Sequence, residues 1–230
     1  GFKYSESSRH LLNQINKSDV DSLVKTATSN FSGICHRYYK YKSRFFKGRK
    51  LNFWDRNAPY PNSRDFKISW DEAKEIVLNS YYSFDKRFGD IVKLFFEKSW
   101  IHARISNGKT SGAFSHPTVP SCHPCILVNF QGKIRDVMTL AHELGHGVHQ
   151  YLANKNGLLL ADTPLTLAET ASVFGEMLTF KALLKNSKNE SEKLYLLRSK
   201  IEDMLNTVFR QIAFFKFERN LHEKRIEGEL

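Results

Sequence analysis

A mainly α fold, a helical core with a small edge-exposed β-sheet, is what the sequence predicts. Apolar residues recur at helical intervals through most of the 230 residues, and capping and stop signals bracket those stretches. Strand-like patterning is confined to one short region near the middle. The chain is 41% apolar and contains eighteen Phe, nine Tyr and three Trp. That is enough to bury a core, and it excludes intrinsic disorder.

Taken in order, residues 5–32 carry Leu11, Leu12, Ile15, Val20, Leu23 and Val24 at helical spacing. Residues 35–46 form a second helical pattern, with Gly48 as its stop. Residues 54–61, with Pro59 and Pro61, read as a loop. Ser69 followed by Glu72 is a capping box opening a helix to about residue 82. Gly89 separates it from a helix over residues 90–100. Asn107-Gly108 and Ser111-Gly112 are turns, and residues 125–130 (CILVNF) form a short strand ended by Gly132. A strong helix spans residues 133–152 and closes at Asn156-Gly157. Thr163-Pro164 opens the next, with Thr as N-cap and Pro at the first helical position, running to about residue 184. Residues 186–192 are a polar loop, and a last helical pattern runs from about residue 193.

The chemistry lies in His142-Glu143-Leu144-Gly145-His146, an H-E-x-x-H inside a clear helix. Four residues at about 100° each return to about 40°, so both imidazoles leave one face a turn apart. Two neutral imidazoles so placed can hold one zinc ion, and Glu143 can reach a coordinated water without ligating the metal. Zinc lowers the pKa of that water to about 7, and the carboxylate takes its proton as it attacks a carbonyl. With nine His and twenty-four acids in the chain, about 0.04 matches arise by chance. A catalytic zinc also needs a third protein ligand and an open position. The extended pattern H-E-x-x-H-x-x-G-x-x-H fails, since His149 and Leu152 stand at its Gly and final His. The following helix offers Glu169 and Glu176, seven residues apart and on one face.

The segments TLAHELGHGVH, ending at His149, and LAETASVFGE, ending at Glu176, closely resemble the oligoendopeptidase F family, relatives of thimet oligopeptidase. Further landmarks are Gly1-Phe2 with Ser5, Arg37-Tyr38-Tyr39 with Lys42, Asp55 with Ala58-Pro59, and Trp100-Ile101. The segments KTSGAF, ending at Phe114, and NFQG, ending at Gly132, add to them. The resemblance implies a zincin-like core binding one zinc per chain through His142, His146 and Glu169, with Glu176 either holding ligands in orientation or standing as a solvated helix carboxylate. It implies hydrolysis of internal bonds of oligopeptides, with zinc-bound water as nucleophile and Glu143 as general base. Gly112, Ala113 and Phe114 are expected to form an edge strand that a peptide joins as an added strand. His149 is a further candidate substrate contact, its alternative being a buried, hydrogen-bonded helix His.

Family members are longer, so residues 1–230 read as the central part of one catalytic domain. Within it, 1–108 are a helical part, 109–131 the edge strands and 132–230 the active-site helices. The N-terminal helical region, and the C-terminal part carrying a carbonyl-polarising His and Tyr, are expected to be absent. His102 departs from the acidic residue expected after Trp-Ile.

Other features carry less. Three Cys are too few for a disulfide framework, and no signal peptide is visible, so a reducing, cytoplasmic setting is expected. Cys122-His-Pro-Cys125 imitates a redox pair but precedes a strand, whereas redox pairs open helices. No apolar run approaches the roughly 20 residues of a membrane span, so no membrane partner is expected. The net charge is +11, and residues 22–54 hold no acid. A nucleic-acid surface is one reading of that stretch. The spacing of Tyr38, Tyr41 and Phe45 argues instead for an apolar stripe with a basic solvated face, and no nucleic-acid partner is expected. Ser172, one turn past Glu169, can hydrogen-bond a ligand or pack as a small helix residue. The competing class is a binding module: a catalytically weak zinc- and peptide-binding fragment, or the basic surface.

Overall fold

The computed structural model of the chain describes residues 2, 4–48, 50–61 and 67–229. Gly1, part of the family resemblance, lies outside them. The chain forms two compact units, Gly1–Arg64 with Leu194–Leu230, and Asp65–Lys193.

In the first unit, α1 (Ser7–Leu12) and α2 (Lys17–Phe31) replace the single helix expected over residues 5–32. Gln14 takes left-handed backbone at φ 53°, and Asn16 with Asp19 forms a capping box that starts α2 afresh. The break expected before Cys35 does not occur. A π-helical turn over Ser32–His36 carries the backbone into α3 (Arg37–Ser43). The proline-marked loop opens with a 3₁₀ turn over Phe53–Asn57, capped by Asn52 and Asp55. The Tyr38, Tyr41 and Phe45 stripe packs: Tyr38 is buried, and Arg198 lies 4.1 Å from the Phe45 ring centroid and 4.5 Å from that of Tyr60. Lys42, one of the family landmarks, is fully buried. Its Nζ donates to Glu202 Oε1 (2.7 Å) and the Arg56 carbonyl (2.8 Å). The unit is completed by α8 (Glu190–Leu205), which joins it from Leu194, a second π turn, and α9 (Gln211–Glu227).

The second unit carries the chemistry. Here α4 (Trp70–Phe84) begins at the expected capping box, Glu72 N donating to Ser69 Oγ (3.2 Å) and Ser69 N to Glu72 Oε2 (2.8 Å). The next helix, α5 (Lys86–Glu97), starts at an Asp85 N-cap, so Gly89 lies inside it rather than before it. Gly89 is there because a Cβ would meet the Tyr82 ring at 2.2 Å, which closes the two helices against each other. Three short strands follow: β1 (Ile101–His102), β2 (Phe114–His116) and β3 (Cys125–Leu127). The sheet order is β1-β3-β2, with β3 parallel to β1 and antiparallel to β2. The first strand precedes the 109–131 window, and Gly112 and Ala113 precede β2, so only Phe114 of that expected strand is in it. Lys109 Nζ secures the sheet by donating to the carbonyls of His102, Arg104 and Val128.

Next comes α6 (Ile134–Ala153), then α7 (Leu165–Lys185), capped by Pro164 itself rather than by Thr163. Val137, Leu140, Ala141, Leu144 and Val148 put an apolar stripe on α6 at helical spacing. It meets Val77 and Tyr81 of α4, Val92 and Phe95 of α5, and Ile126 of β3. Each such side chain fully buried is worth about 1.5–3 kcal/mol. Thus α6 is held as the central element of this core, leaving its other face for the site. Among the described residues no helix is long and apolar enough to cross a membrane, and Cys35, Cys122 and Cys125 are all free.

Candidate metal centre

Two glycines decide how α6 meets α7. A Cβ on Gly145 would lie 2.5 Å from the Ala171 carbonyl oxygen and 2.7 Å from Ser172 Cα. One on Gly175 would lie 1.8 Å from the Tyr81 hydroxyl, which donates to the Ala141 carbonyl (2.8 Å). Any side chain at either position would drive the helices apart. With only hydrogen there, the backbones nearly touch, and the acidic residues of α7 come beside the histidines of α6.

The spacing of His142 and His146 puts their ring centroids 5.0 Å apart. Glu169 spans both: Oε2 is 3.4 Å from His142 Nε2 and Oε1 is 3.6 Å from His146 Nε2. Donor atoms of these three residues lie within 4.8 Å of one another, a group that could hold a metal ion. Glu176 approaches His142 from the other side, Oε2 lying 3.3 Å from Nδ1. The side chains of His142, His146 and Glu176 are 27%, 16% and 15% exposed, and that of Glu169 is 57% exposed, so the site opens to solvent on the Glu169 side.

Electrostatics differ sharply among these groups. Burial pushes the Glu143 carboxyl up to about 7; the charge of His142 pulls the other way and that of Glu169 adds to the rise. For His142, burial opposes protonation, but the Glu176 hydrogen bond and the charges of Glu143, Glu169 and Glu176 outweigh it and raise its pKa. Burial, the largest effect on His146, lowers its pKa despite the charge of Glu169. Glu143 is 6% exposed, yet among the described residues no buried polar side-chain atom lacks a partner, so its oxygens are not sealed in.

In the edge strand, Ser115 Oγ donates to Gln150 Oε1 (2.7 Å) and Gln150 Nε2 to the Ser115 carbonyl (3.2 Å), tying β2 to α6 one turn past His146. Ahead of β2, Asn129 Nδ2 donates to the Thr110 and Gly112 carbonyls (3.0 and 2.9 Å), and Gly112 has φ 91°. His149 is half-buried and lines a small cavity of about 140 Å³ with Gly145, Leu152 and Phe174. His102 is an exposed residue of β1, and nothing in the structure explains its departure from an acid.

Sequence reasoning missed Gly145, Gly175, Tyr81 and Gln150. The glycines did leave a signal: each costs about 1 kcal/mol against Ala inside a helix, which asks for a packing reason. Tyr81 and Gln150 left none, because their partners are distant in sequence.

Comparison with known proteins agrees with this architecture. The pattern of Peptidase family M3 matches residues 3–230. The chain is 31% identical over 218 residues to oligopeptidase PepF of Bacillus subtilis (strain 168), covering 94% of this chain and 32% of that protein. It is 32% identical over 198 residues to the chromosomal oligoendopeptidase F of Lactococcus lactis subsp. cremoris, covering 86% and 33%. A solved chain from Chlamydophila abortus superposes with TM-score 0.82 at 28% identity, covering 99% of this chain and 38% of that one. The oligoendopeptidase-F structure from Enterococcus faecium (TM-score 0.62, 22% identity, 99% and 33% covered) shares the fold. The chain therefore spans about a third of the length of the curated relatives it matches. With the family pattern running from residue 3 to the last residue over a mainly α fold with a three-stranded sheet, the chain belongs to Peptidase family M3.

Proposed function

We propose that this chain is the central catalytic portion of a zinc-dependent endopeptidase that hydrolyses internal peptide bonds of oligopeptides, acting in the cytoplasm. One observation carries the reading: two imidazoles and a carboxylate from α6 and α7 converge within 4.8 Å beside the buried Glu143. Two His nitrogens and one carboxylate oxygen are a donor set that suits zinc and leaves a coordination position open. His142, His146 and Glu169 would hold one ion per chain, and that ion would supply Lewis-acid polarisation of a carbonyl and acidify a water.

The chain's own residues do the rest. Glu143, one residue past the first ligand, accepts the proton of the attacking water at its carboxylate and returns it to the leaving amine. Glu176 accepts the Nδ1 proton of His142, which leaves the Nε2 lone pair, the atom that would ligate a metal, on the Glu169 side. β2 is an outer strand of the sheet, and Gly112, Ala113 and Phe114 at its start would present backbone groups to an extended peptide. Pairing through backbone tolerates many side chains, which suits oligopeptide substrates. His149 would meet a substrate side chain from the apolar cavity beside the site.

Metal analysis and cleavage of an internally quenched peptide test the proposal together. The expected result is about one zinc per chain, lost in His146→Ala, with cleavage abolished by a chelator and restored by zinc. Glu169→Gln should weaken metal binding more than Glu176→Gln; the reverse order would give the third-ligand role to Glu176. Full metal content in His146→Ala would refute the ligand set.

A further inference from the structure

The two oxygens of Glu169 are not equivalent. Oε1 faces His146 Nε2 (3.6 Å), while Oε2 faces His142 Nε2 (3.4 Å) and also accepts a hydrogen bond from Ser172 Oγ at 2.6 Å. The serine hydroxyl also lies 3.1 Å from the Glu169 carbonyl, the ordinary back-bond of a helix serine. A hydroxyl has one hydrogen, and the two distances say where it goes. A contact of 2.6 Å to a carboxylate has the length of a charge-assisted O–H···O⁻ bond, and the carbonyl contact does not.

Ser172 is also a fixed post. It is 0% exposed, and its Cα sits at the α6–α7 crossing, where a Cβ on Gly145 would approach it to 2.7 Å. Glu169, by contrast, is 57% exposed on its side chain and would otherwise sample several rotamers. The buried residue therefore holds the exposed one.

We propose that Ser172 is a positioning residue: its hydroxyl engages Glu169 Oε2 and leaves Oε1 to a metal, so that the carboxylate takes one coordination position rather than two. This rests on the ligand set proposed above. A carboxylate free to bind through both oxygens would fill the position that a catalytic site keeps open. One whose second oxygen accepts a short hydrogen bond has less electron density to offer there.

The experiment uses the full chain with zinc or cobalt(II) alone. Apparent zinc affinity is measured by competition with a chromophoric chelator for the parent, Ser172→Ala, Ser172→Gly, Ser172→Thr and Glu169→Gln. Cobalt(II) visible spectra are recorded on the same set, because band intensity falls as coordination rises from four to five. Ser172→Ala and Ser172→Gly should bind zinc about 10–100-fold more weakly, with weaker cobalt bands and an unchanged far-ultraviolet spectrum. Ser172→Thr, which keeps the hydroxyl, should recover both properties. Parent-like affinity and bands in a folded Ser172→Ala or Ser172→Gly would reduce Ser172 to packing and overturn the proposal. So would a loss of affinity with unaltered cobalt bands, since the number of positions filled would then be the same. Glu169→Gln separates the two levels. If it binds zinc like the parent, the ligand set itself is wrong; if it loses affinity while the Ser172 variants do not, only the role of Ser172 falls.

Discussion

Each unit buries a charged side chain, and the two are treated in opposite ways. In the first, the Lys42 ammonium is fully buried and donates to Glu202 and to the Arg56 carbonyl. Glu202 Oε1 also accepts from the Tyr38 hydroxyl (2.8 Å), which in turn meets the Tyr60 hydroxyl (2.8 Å). Burial, with those hydrogen bonds, pushes the Tyr38 phenol far above its ordinary range, so it stays a donor. In the second unit Glu143 is nearly as buried, but among the described residues no comparable cation is hydrogen-bonded to it, and its carboxyl rises to about 7. The carboxylates next to it sit 3.3–3.6 Å from imidazole nitrogens, longer than the 2.7 Å of the Lys42 pair. A buried charge whose hydrogen bonds are complete holds a structure together. Glu143 meets its burial differently: its oxygens are not sealed in, and its carboxyl shifts up toward the neutral form.

The comparison breaks most directly at Glu143. Glu143→Gln is nearly isosteric and cannot take a proton, so it should keep its metal and lose about 10²–10⁴-fold in kcat. Thermal stability should stay level or rise, because a buried carboxyl is replaced by a neutral group. Undiminished turnover in the metal-replete variant would remove Glu143 from the mechanism.

Lys42→Met should behave in the opposite sense, losing stability and leaving metal content alone. Breaking a buried pair by removing one partner costs about 3–5 kcal/mol. The Glu202 side chain is 25% exposed, which puts the loss at the low end, about 3 kcal/mol. Denaturant unfolding measures it. A variant as stable as the parent but depleted of zinc would erase the contrast between the two networks.

Gly145→Ala gives the smallest effect and links fold to site. Its Cβ would lie 2.5 Å from a backbone carbonyl that cannot step aside, and overpacking of this kind costs about 1–3 kcal/mol. Because the strain falls at the α6–α7 crossing, zinc affinity should drop along with stability. Gly157→Ala is a useful control: at φ 81° it is strained but has no neighbour within 4 Å. It should cost stability without touching the metal.

Much of this was legible in the residues, and what was legible is local. The Ser69–Glu72 capping box, the period of Val137, Leu140, Leu144 and Val148, and the face shared by His142 and His146 each lie within a few turns of one helix. Where local signals failed, a distant contact overrode them. Gly89 looked like a separator and is a packing point against Tyr82, and nothing local marked Lys42 as a residue buried against Glu202. At the start of α2 the failure was local after all, since Asn16 and Asp19 form a capping box that could have been read.

By itself, the sequence determined that α6 is a helix with two imidazoles and a carboxylate in fixed angular relation. Backbone geometry of 3.6 residues per turn requires no more than that. It also put Glu169 and Glu176 on one face of the following helix, but periodicity could not rank them, since seven residues return nearly to the same angle. Resemblance pointed to Glu169; the tertiary structure brings that residue to both imidazoles and leaves Glu176 at Nδ1 of His142 alone. The depth and angle of that crossing depend on Gly145 and Gly175 meeting Ala171, Ser172 and Tyr81. Close approach is a property of two surfaces fitted together, and no window along one helix contains both.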